Sequence, residues 1–272
     1  MSTVDVYRIT DQLDDPTLEA IVTRLEARGK HPRFIAMMQQ YLDAMRIDSA
    51  ETVLDLGCGT GVAARAIARR PGFRGRVTGI DLSPHFVAVA QRLAAAESID
   101  RIDFRVGDSQ SLSLPNEGFY AVVLHTLVSH VNDPRAVLGE VRRILKPAGT
   151  VGIFDGDYAS MTFAGDDPIK SKETDEVIIQ AVITQPRVMR QMPQLLGEAG
   201  LKMTVSFGHV VADIGKADFF APALQSFLKL LPRSGAMTET QARTWIAAML
   251  ERSEQGIFFG ASNFYSYIAR RR

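Results

Sequence analysis

The chain has 272 residues, of which 46% are hydrophobic, and 31 basic side chains balance 31 acidic ones. This length and hydrophobic content provide a full core, so we expect one large domain or a core domain with a cap. The absence of net charge gives no indication of a nucleic-acid or membrane partner and favours a small-molecule substrate.

Cysteine content and hydropathy narrow the class of protein further. A single cysteine, Cys58, excludes an internal disulfide and gives no sign of an oxidising compartment. No apolar run reaches the length of a membrane span, and the polar start of the chain does not resemble a signal peptide. We therefore expect a cytoplasmic protein, either a monomer or a homodimer.

Residues 1–50 are predicted to form an N-terminal helical cap ahead of a main domain over residues 51–272. Apolar residues recur at helical spacing after Pro16, and again from about Pro32 to Arg46. Methionine and aromatic side chains on the second helix suit either packing against the core or the wall of a substrate pocket, because methionine adapts to irregular surfaces. Both interpretations stay open.

A predicted strand over Thr52–Leu56 runs into a loop with glycines at positions 57, 59 and 61, and a helix follows at once. This order is typical of the first turn of a nucleotide-binding α/β domain. Glycine permits positive φ there and lets the backbone approach a ligand. The loop lacks the lysine of a P-loop, which argues against a triphosphate. Because Gly59, Gly61 and Ala64 formally satisfy the dinucleotide pattern, an NAD-dependent oxidoreductase is one alternative.

The position of Asp55 favours a different ligand. A carboxylate two residues before the first glycine would repel a pyrophosphate, but it suits a ligand that presents an ammonium group and hydroxyls. S-adenosylmethionine (SAM) has both, carries a positive charge on sulfur and lacks phosphate. We expect Cys58, in the same loop, to be a small residue that fits the turn rather than a nucleophile.

The next strands are also predicted to end at polar residues. Asp81 ends the second strand 20 residues beyond Gly61, where an acid can accept hydrogen bonds from ribose hydroxyls. The third strand leads into Asp108, which suits either a ligand contact or a turn that binds its own backbone. The fourth ends at His125. Because ligands of open α/β sheets lie at the carboxyl ends of strands, His125 is predicted to lie near the ligand.

Candidates for a general base lie at the ends of the fourth and fifth predicted strands. His130 shortly precedes a predicted helix, and its alternative role is that of a helix-entry residue. The fifth strand is expected to end near Phe154, which would place Asp155, Asp157 and Tyr158 at its carboxyl end, either to orient a nucleophile or to close a turn. We keep His125, His130, Asp155 and Tyr158 as candidates. No residue cluster has metal-ligand spacing, so no metal is predicted.

Beyond residue 160 the pattern predicts helices and two further strands, the strands over about 201–214 and 257–269. Two helices within about 216–254 are predicted to form an insertion that roofs the substrate site. Apolar and aromatic residues of this insertion either line that site or belong to the core: Phe219, Phe220, Leu224, Phe227 and Trp245.

Together these motifs resemble class I SAM-dependent methyltransferases that act on small molecules. Asp55-x-Gly57-x-Gly59-x-Gly61 looks like motif I of the family, and later segments up to residue 156 match in order. The resemblance implies an α/β fold with a doubly wound, seven-stranded, mostly parallel Rossmann-like sheet, in which strand seven pairs antiparallel between strands five and six. It also implies that Asp108 accepts a hydrogen bond from the adenine amino group. The implied SAM-binding residues are Asp55, Gly57, Cys58, Gly59, Gly61, Asp81, Leu82, Gly107, Asp108, Ser109 and His125.

The resemblance implies transfer of a methyl group from SAM to an oxygen, nitrogen or carbon atom of a small-molecule acceptor. A general base is needed only if that acceptor must lose a proton. Besides the oxidoreductase, a SAM-binding protein that does not methylate stays as an alternative. We expect a small-molecule substrate and neither a nucleic-acid nor a membrane partner.

Overall fold

One sheet of seven strands forms the centre of the protein in the computed structural model, which describes residues 5–271. The strands are β1 (Thr52–Leu56), β2 (Arg76–Asp81), β3 (Ile102–Val106), β4 (Phe119–His125), β5 (Leu145–Phe163), β6 (Leu201–Gly215) and β7 (Phe258–Arg271). Their order is β3-β2-β1-β4-β5-β7-β6, with β1 to β5 parallel and β7 antiparallel to both neighbours. The predicted mostly parallel, doubly wound sheet is confirmed.

Helices connect the strands and cover both faces of the sheet. They are α1 (Asp15–Lys30), α2 (Pro32–Ala44), α3 (Val62–Ala68), α4 (Pro84–Ala96), α5 (Pro134–Ile144), α6 (Pro168–Val182), α7 (Val188–Glu198), α8 (Ala221–Arg233) and α9 (Glu239–Glu254). A hydrophobic core lies on each face of the sheet, and neighbouring β1 residues point to different cores. Val53 packs in the core that includes residues of α1 to α4, and Leu54 packs in the core that includes residues of α5 and α7. This alternation follows from the period-two geometry of a strand buried on both sides.

Strand β5 is longer than predicted. The sequence analysis ends it near Phe154, but it continues to Phe163 because its second half pairs with β7. The ladder runs from Thr150 opposite Arg270 to Phe163 opposite Gly260, with a register shift between Asp157 and Thr162. The expectation that Asp155, Asp157 and Tyr158 lie at a strand end was therefore wrong, since all three lie within the strand.

The N-terminal helices have different neighbours. Helix α2 packs on β5, β6 and β7, and its Phe34 and Tyr41 rings lie 5.4 and 5.7 Å from the Phe154 ring. Helix α1 instead packs on α8, which lies between β6 and β7 in the chain. Helix α6, which the sequence analysis did not assign to the roof, contacts both α8 and β5. Within residues 5–271, no helix is long and apolar enough to cross a membrane.

Candidate functional site

Ten of the eleven residues predicted to bind the cofactor line one cleft at the carboxyl ends of β1, β2, β3 and β4. The cleft consists of two adjoining cavities that share Gly57, Asp81 and His130, among other residues. The first cavity adds Asp55, Cys58, Gly59 and His125, and the second adds Leu82, Gly107, Asp108 and Ser109. The structure thus brings the carboxylates of Asp55, Asp81 and Asp108 to a single cleft.

The loop after β1 requires glycine for steric reasons. Gly57, Gly59 and Gly61 have φ values of +71°, +53° and +80°, a backbone region that disfavours other residues. A Cβ atom on Gly57 would lie 2.5 Å from Leu127, and one on Gly61 would lie 2.7 Å from Phe104. Gly61, the eleventh predicted residue, therefore shapes the loop at the start of α3. The loop therefore keeps its backbone close to the cleft.

Asp81 holds this loop against β2. Its Oδ2 accepts a hydrogen bond from the Gly59 N–H at 2.8 Å, and its Oδ1 accepts one from the Ser83 N–H at 2.9 Å. Burial raises the pKa of this carboxyl, and the backbone hydrogen bonds partly offset that effect. Because a carboxylate oxygen has two lone pairs, each oxygen can still accept a second hydrogen bond from a ligand in the cleft.

Asp55 is fully buried beside the same cleft. Its Oδ2 accepts a hydrogen bond from the Ala64 N–H at 2.9 Å, whereas its Oδ1 has no partner among the residues that the structure describes. Burial raises the pKa of Asp55 to about 7, and the charge of Asp81 contributes in the same direction. A buried acceptor without a partner is costly unless a donor or cation occupies the adjoining space.

Asp108 is exposed at the far end of the cleft. Its Oδ1 accepts a hydrogen bond from the Gln110 N–H at 2.9 Å, which is the turn contact that the sequence left open. Leu82 beside it exposes 39% of its surface in the same cavity. The turn contact fixes Asp108 at the cleft wall and leaves lone pairs for a ligand.

His125 ends β4, and its side chain is buried between α2 and the cleft. The Tyr41 hydroxyl lies 2.9 Å from Nδ1, and Nε2 has no partner within the described residues. Since the described structure offers the Tyr41 hydroxyl no other acceptor, we assign it as the donor to Nδ1, which places the ring proton on Nε2. Burial, assisted by the charge of Arg28, lowers the pKa of His125 to about 3. His125 is therefore a neutral N–H donor and a poor base at neutral pH.

This arrangement predicts that Tyr41→Phe destabilises the fold by about 1–3 kcal/mol, because the buried Nδ1 would lose its donor. Urea unfolding measures the loss. Tyr267→Phe is the matched control, since it removes a half-buried hydroxyl that donates to the Met189 carbonyl at 2.9 Å. We expect the control to lose less stability, because water can replace that donor. Equal losses in the two variants would contradict the assignment.

His130 is held by the N-terminal segment. Its Nδ1 lies 3.0 Å from Oδ2 of Asp5, a buried residue that also accepts hydrogen bonds of 2.9 Å from the Thr184 N–H and hydroxyl. The Tyr7 ring lies 4.7 Å from the His130 ring. Asp5 and Tyr7 carry no motif and were missed by the sequence analysis. They orient the imidazole at the junction of the two cavities.

The remaining candidate bases lie deeper. Asp155 is fully buried, and its oxygens accept hydrogen bonds from the Ser129 and Gly156 N–H groups at 3.0 and 2.8 Å. Asp155 thus braces the loop that carries His130. Burial raises the pKa of the Tyr158 phenol well above its usual range, so this side chain is a donor rather than a base. Among residues 5–271, no three or more His, Cys, Asp and Glu residues are arranged to hold a metal ion.

Arg28 is a cleft residue that the sequence analysis did not single out. One guanidinium nitrogen donates to the Thr126 hydroxyl at 3.0 Å, and the guanidinium lies 4.7 Å from the centre of the Phe34 ring. Thr126 itself follows β4 with φ +58°, a strained conformation that is common at ligand sites. In the sequence, Arg28 occupies a polar helix position where a solvated arginine is equally expected, so the sequence does not indicate that Arg28 lies in the cleft.

Comparison with known proteins finds matches to the part of the chain that carries most of the cleft residues. Residues 53–149 match the methyltransferase domain family. The chain is 28% identical over 231 residues to an uncharacterised 37.1 kDa protein of transposon Tn4556 from Streptomyces fradiae, covering 84% of this chain and 65% of that protein. It is 41% identical over 100 residues to a ubiquinone biosynthesis O-methyltransferase from Xanthomonas campestris, covering 36% of this chain and 40% of that one.

A solved structure shares the fold. The crystal structure of a putative methyltransferase from Bacillus halodurans matches 86% of this chain and 98% of its own, with a TM-score of 0.62 and 17% identity. At this identity the match concerns the fold alone. The chain spans less than two thirds of the length of the two curated relatives, 65% and 40%.

Proposed function

We propose that this chain, whose residues 53–149 match the methyltransferase domain family, is a class I enzyme that binds SAM in the cleft and transfers its methyl group to a small-molecule acceptor. The acceptor atom is oxygen, nitrogen or carbon. The observation that carries the proposal is the convergence of Asp55, Asp81 and Asp108 beside a positive-φ glycine loop. Acidic groups at these positions fit a cationic, phosphate-free nucleoside.

The two ends of the cleft suit the two ends of SAM. At one end, Asp81 has lone pairs for both ribose hydroxyls, and Asp108 offers an acceptor for the adenine amino group. The adenine side also includes Leu82, Gly107 and Ser109. This assignment follows the order of the residues along the cleft.

At the other end, the unpartnered Oδ1 of Asp55 suits the ammonium group of the methionine part. Arg28 and the His125 Nε2–H are donors beside it, and they suit the carboxylate of the same part. Neutral His125 donates without adding a second positive charge near the sulfonium. Its role in the proposal is therefore cofactor binding rather than proton transfer.

When bound, SAM would supply an electrophilic methyl group on a positively charged sulfur. The chain's own residues would position the acceptor in line and keep water away, because proximity and orientation account for much of such a rate enhancement. Where the acceptor must lose a proton, His130 is our candidate base, since it lies in the cleft and Asp5 fixes its ring. Helix α1 and the inserted helices α8 and α9 would form the roof over the acceptor.

Isothermal titration of the full chain with SAM, S-adenosylhomocysteine (SAH) and NAD⁺ tests the proposal. We expect SAM and SAH to bind at one site per chain and NAD⁺ not to bind. Incubation with methyl-labelled SAM and an acceptor panel should then yield a labelled product. Binding of NAD⁺ alone would support the oxidoreductase instead, and SAM binding without transfer to any acceptor would support a protein that does not methylate.

A further inference from the structure

A third cavity adjoins the cleft on the side of the roof. It lies between α1, β5, β7 and the segment that leads into α8, and Arg28 lines both this cavity and the cleft. The Tyr158 ring in its wall lies 6.3 Å from the His130 ring. Its lining residues are Arg24, Arg28, Tyr158, Met161, Phe219, Phe220, Pro222, Ala223, Ser262 and Phe264.

We infer that this cavity binds the methyl acceptor, and that the acceptor is a small aromatic molecule whose one carboxylate is held by Arg24, with Arg28 at the boundary between this cavity and the cleft. The inference rests on the proposed function, because it takes the adjoining cleft as the place of the cofactor. It goes beyond that function by naming the chemical class of the substrate.

The two arginines lack a counter-ion. Arg24 and Arg28 are one helical turn apart on α1, so their side chains leave the same face of the helix. Within residues 5–271, neither guanidinium has a carboxylate oxygen within 4.0 Å, whereas Arg33 pairs with Asp213 at 3.0 Å. A half-buried cation without a partner is costly, and an anionic ligand would supply the missing charge.

Aromatic rings hold both guanidinium groups in place. Arg24 lies 5.6 and 5.3 Å from the centres of the Tyr7 and Phe227 rings, and Arg28 lies 4.7 Å from that of Phe34. Among the side chains of residues 5–271, Arg24 donates one hydrogen bond, to the Ser226 hydroxyl at 3.5 Å. These cation–π contacts restrain the guanidinium groups and leave N–H groups available to a carboxylate.

The walls fit an aromatic body. Phe219, Phe220, Phe264 and Met161 are each at most 7% exposed, so the wall is apolar and closely packed. The cavity volume is about 30 Å³, so a ring enters by displacing these side chains, which then enclose it in apolar surface. Two polar groups remain in this wall. The Ser262 hydroxyl is buried and has no partner in the described structure, and the Tyr158 phenol is a donor. These hydroxyls can bind polar substituents on the ring.

The charge balance favours a carboxylate over a phosphate. Arg28 also faces the cleft, where the proposed function assigns it to the carboxylate of the cofactor. One positive charge, that of Arg24, then remains for the acceptor. A single negative charge matches it, whereas the second charge of a phosphate would lie unpaired among aromatic rings.

Benzoate and benzamide are matched probes, because they share a ring and differ in charge. We titrate each into the full chain saturated with SAH and follow the heat of binding. Benzoate should bind about tenfold more tightly than benzamide, since a charged hydrogen bond to arginine is stronger than a neutral one. Arg24→Gln should abolish this preference while SAH affinity stays unchanged. Lys30→Gln removes the same charge from an exposed position on α1 and should keep the preference.

The comparison in the unaltered protein needs no variant, so it holds even if Arg24→Gln fails to fold. Equal affinity for benzoate and benzamide, in a protein that binds SAH, would overturn the inference and leave the proposed function intact. A preference for benzoate that survives Arg24→Gln would also overturn it. Failure of the unaltered protein to bind SAH would instead refute the proposed function.

Discussion

Replacing Asp81 by alanine should weaken SAH binding by about a hundredfold, equivalent to about 3 kcal/mol. The carboxylate has two roles, one in holding the glycine loop and one in binding the ligand. It accepts hydrogen bonds of 2.8 and 2.9 Å from the Gly59 and Ser83 N–H groups, which hold the glycine loop at the cleft. Its remaining lone pairs are those we assign to the ribose hydroxyls. Hydrogen bonds to a charged group contribute about 1.5–3 kcal/mol each, so losing both functions gives a large effect.

Isothermal titration with SAH measures the loss. Asp103→Ala is the matched control, because Asp103 is an exposed acid on β3 that pairs with Arg105 outside the cleft. We expect the control to bind SAH as the unaltered protein does. Asp81→Asn should lie between the two, because an amide has one acceptor oxygen where the carboxylate has two. If Asp81→Ala keeps its affinity, the ribose does not lie at this residue.

The half of the fold that contains the cleft could be predicted because its signals are local. The strand over Thr52–Leu56 was predicted with the bounds that the structure shows, since a buried strand, glycines and a helix follow one another directly. Asp81 and His125 were placed correctly at strand ends for the same reason. Each of these features depends on neighbours within a few residues of the chain.

Most contacts on the proposed acceptor side could not be predicted, because they join distant parts of the chain. Strand β5 reaches Phe163 because β7 pairs with it, and the partner of Phe163 is Gly260. Asp5 reaches His130 across 125 positions, and Tyr41 reaches His125 across 84. Nothing in the local pattern around Asp5 or Tyr41 indicates such partners.

Arg24 and Arg28 illustrate the same limit in another way. On an amphipathic helix, arginines at these positions are typical of a solvated face. They differ from solvated arginines because Phe227 and the segment before α8, about 200 residues later in the chain, lie against them. The proposed cofactor cleft follows from sequence motifs, whereas the proposed acceptor cavity follows from tertiary packing.

Asp55 should make the ligand-free fold less stable as the pH rises. Burial raises its pKa from 3.8 to about 7, so between those pH values the folded state retains a proton that the unfolded chain has lost. The free energy of unfolding therefore falls with rising pH. The stabilising contribution is fully present below about pH 4 and is lost as the pH rises through about 7, and it amounts to about 4 kcal/mol.

Asp55→Asn tests this effect, because the amide has the same shape, can accept from the Ala64 N–H and does not ionise. The ligand-free variant should be more stable than the unaltered protein by about 4 kcal/mol at pH 8 but by less than about 1 kcal/mol at pH 4. Urea unfolding at both pH values measures the difference. Burial also raises the pKa values of Asp81, Asp155 and Asp175, so the pH dependence of the unaltered protein includes their contributions. The difference between the variant and the unaltered protein isolates the contribution of Asp55. Equal stability of the two proteins at pH 8 would contradict a buried charge at Asp55.

The same carboxyl should make SAM binding depend on pH. A cationic ligand beside Asp55 favours the ionised form, so binding near neutral pH releases a proton and tightens as the pH rises from about 6 to 8. The steepest expected change is about tenfold per pH unit. Titration in buffers with different heats of ionisation counts the released proton directly. Asp55→Asn should bind SAM weakly at every pH and without this dependence. If the unaltered protein binds SAM equally well from pH 6 to 8, the ammonium group of the ligand lies away from Asp55, and the orientation that we propose for the methionine end is wrong.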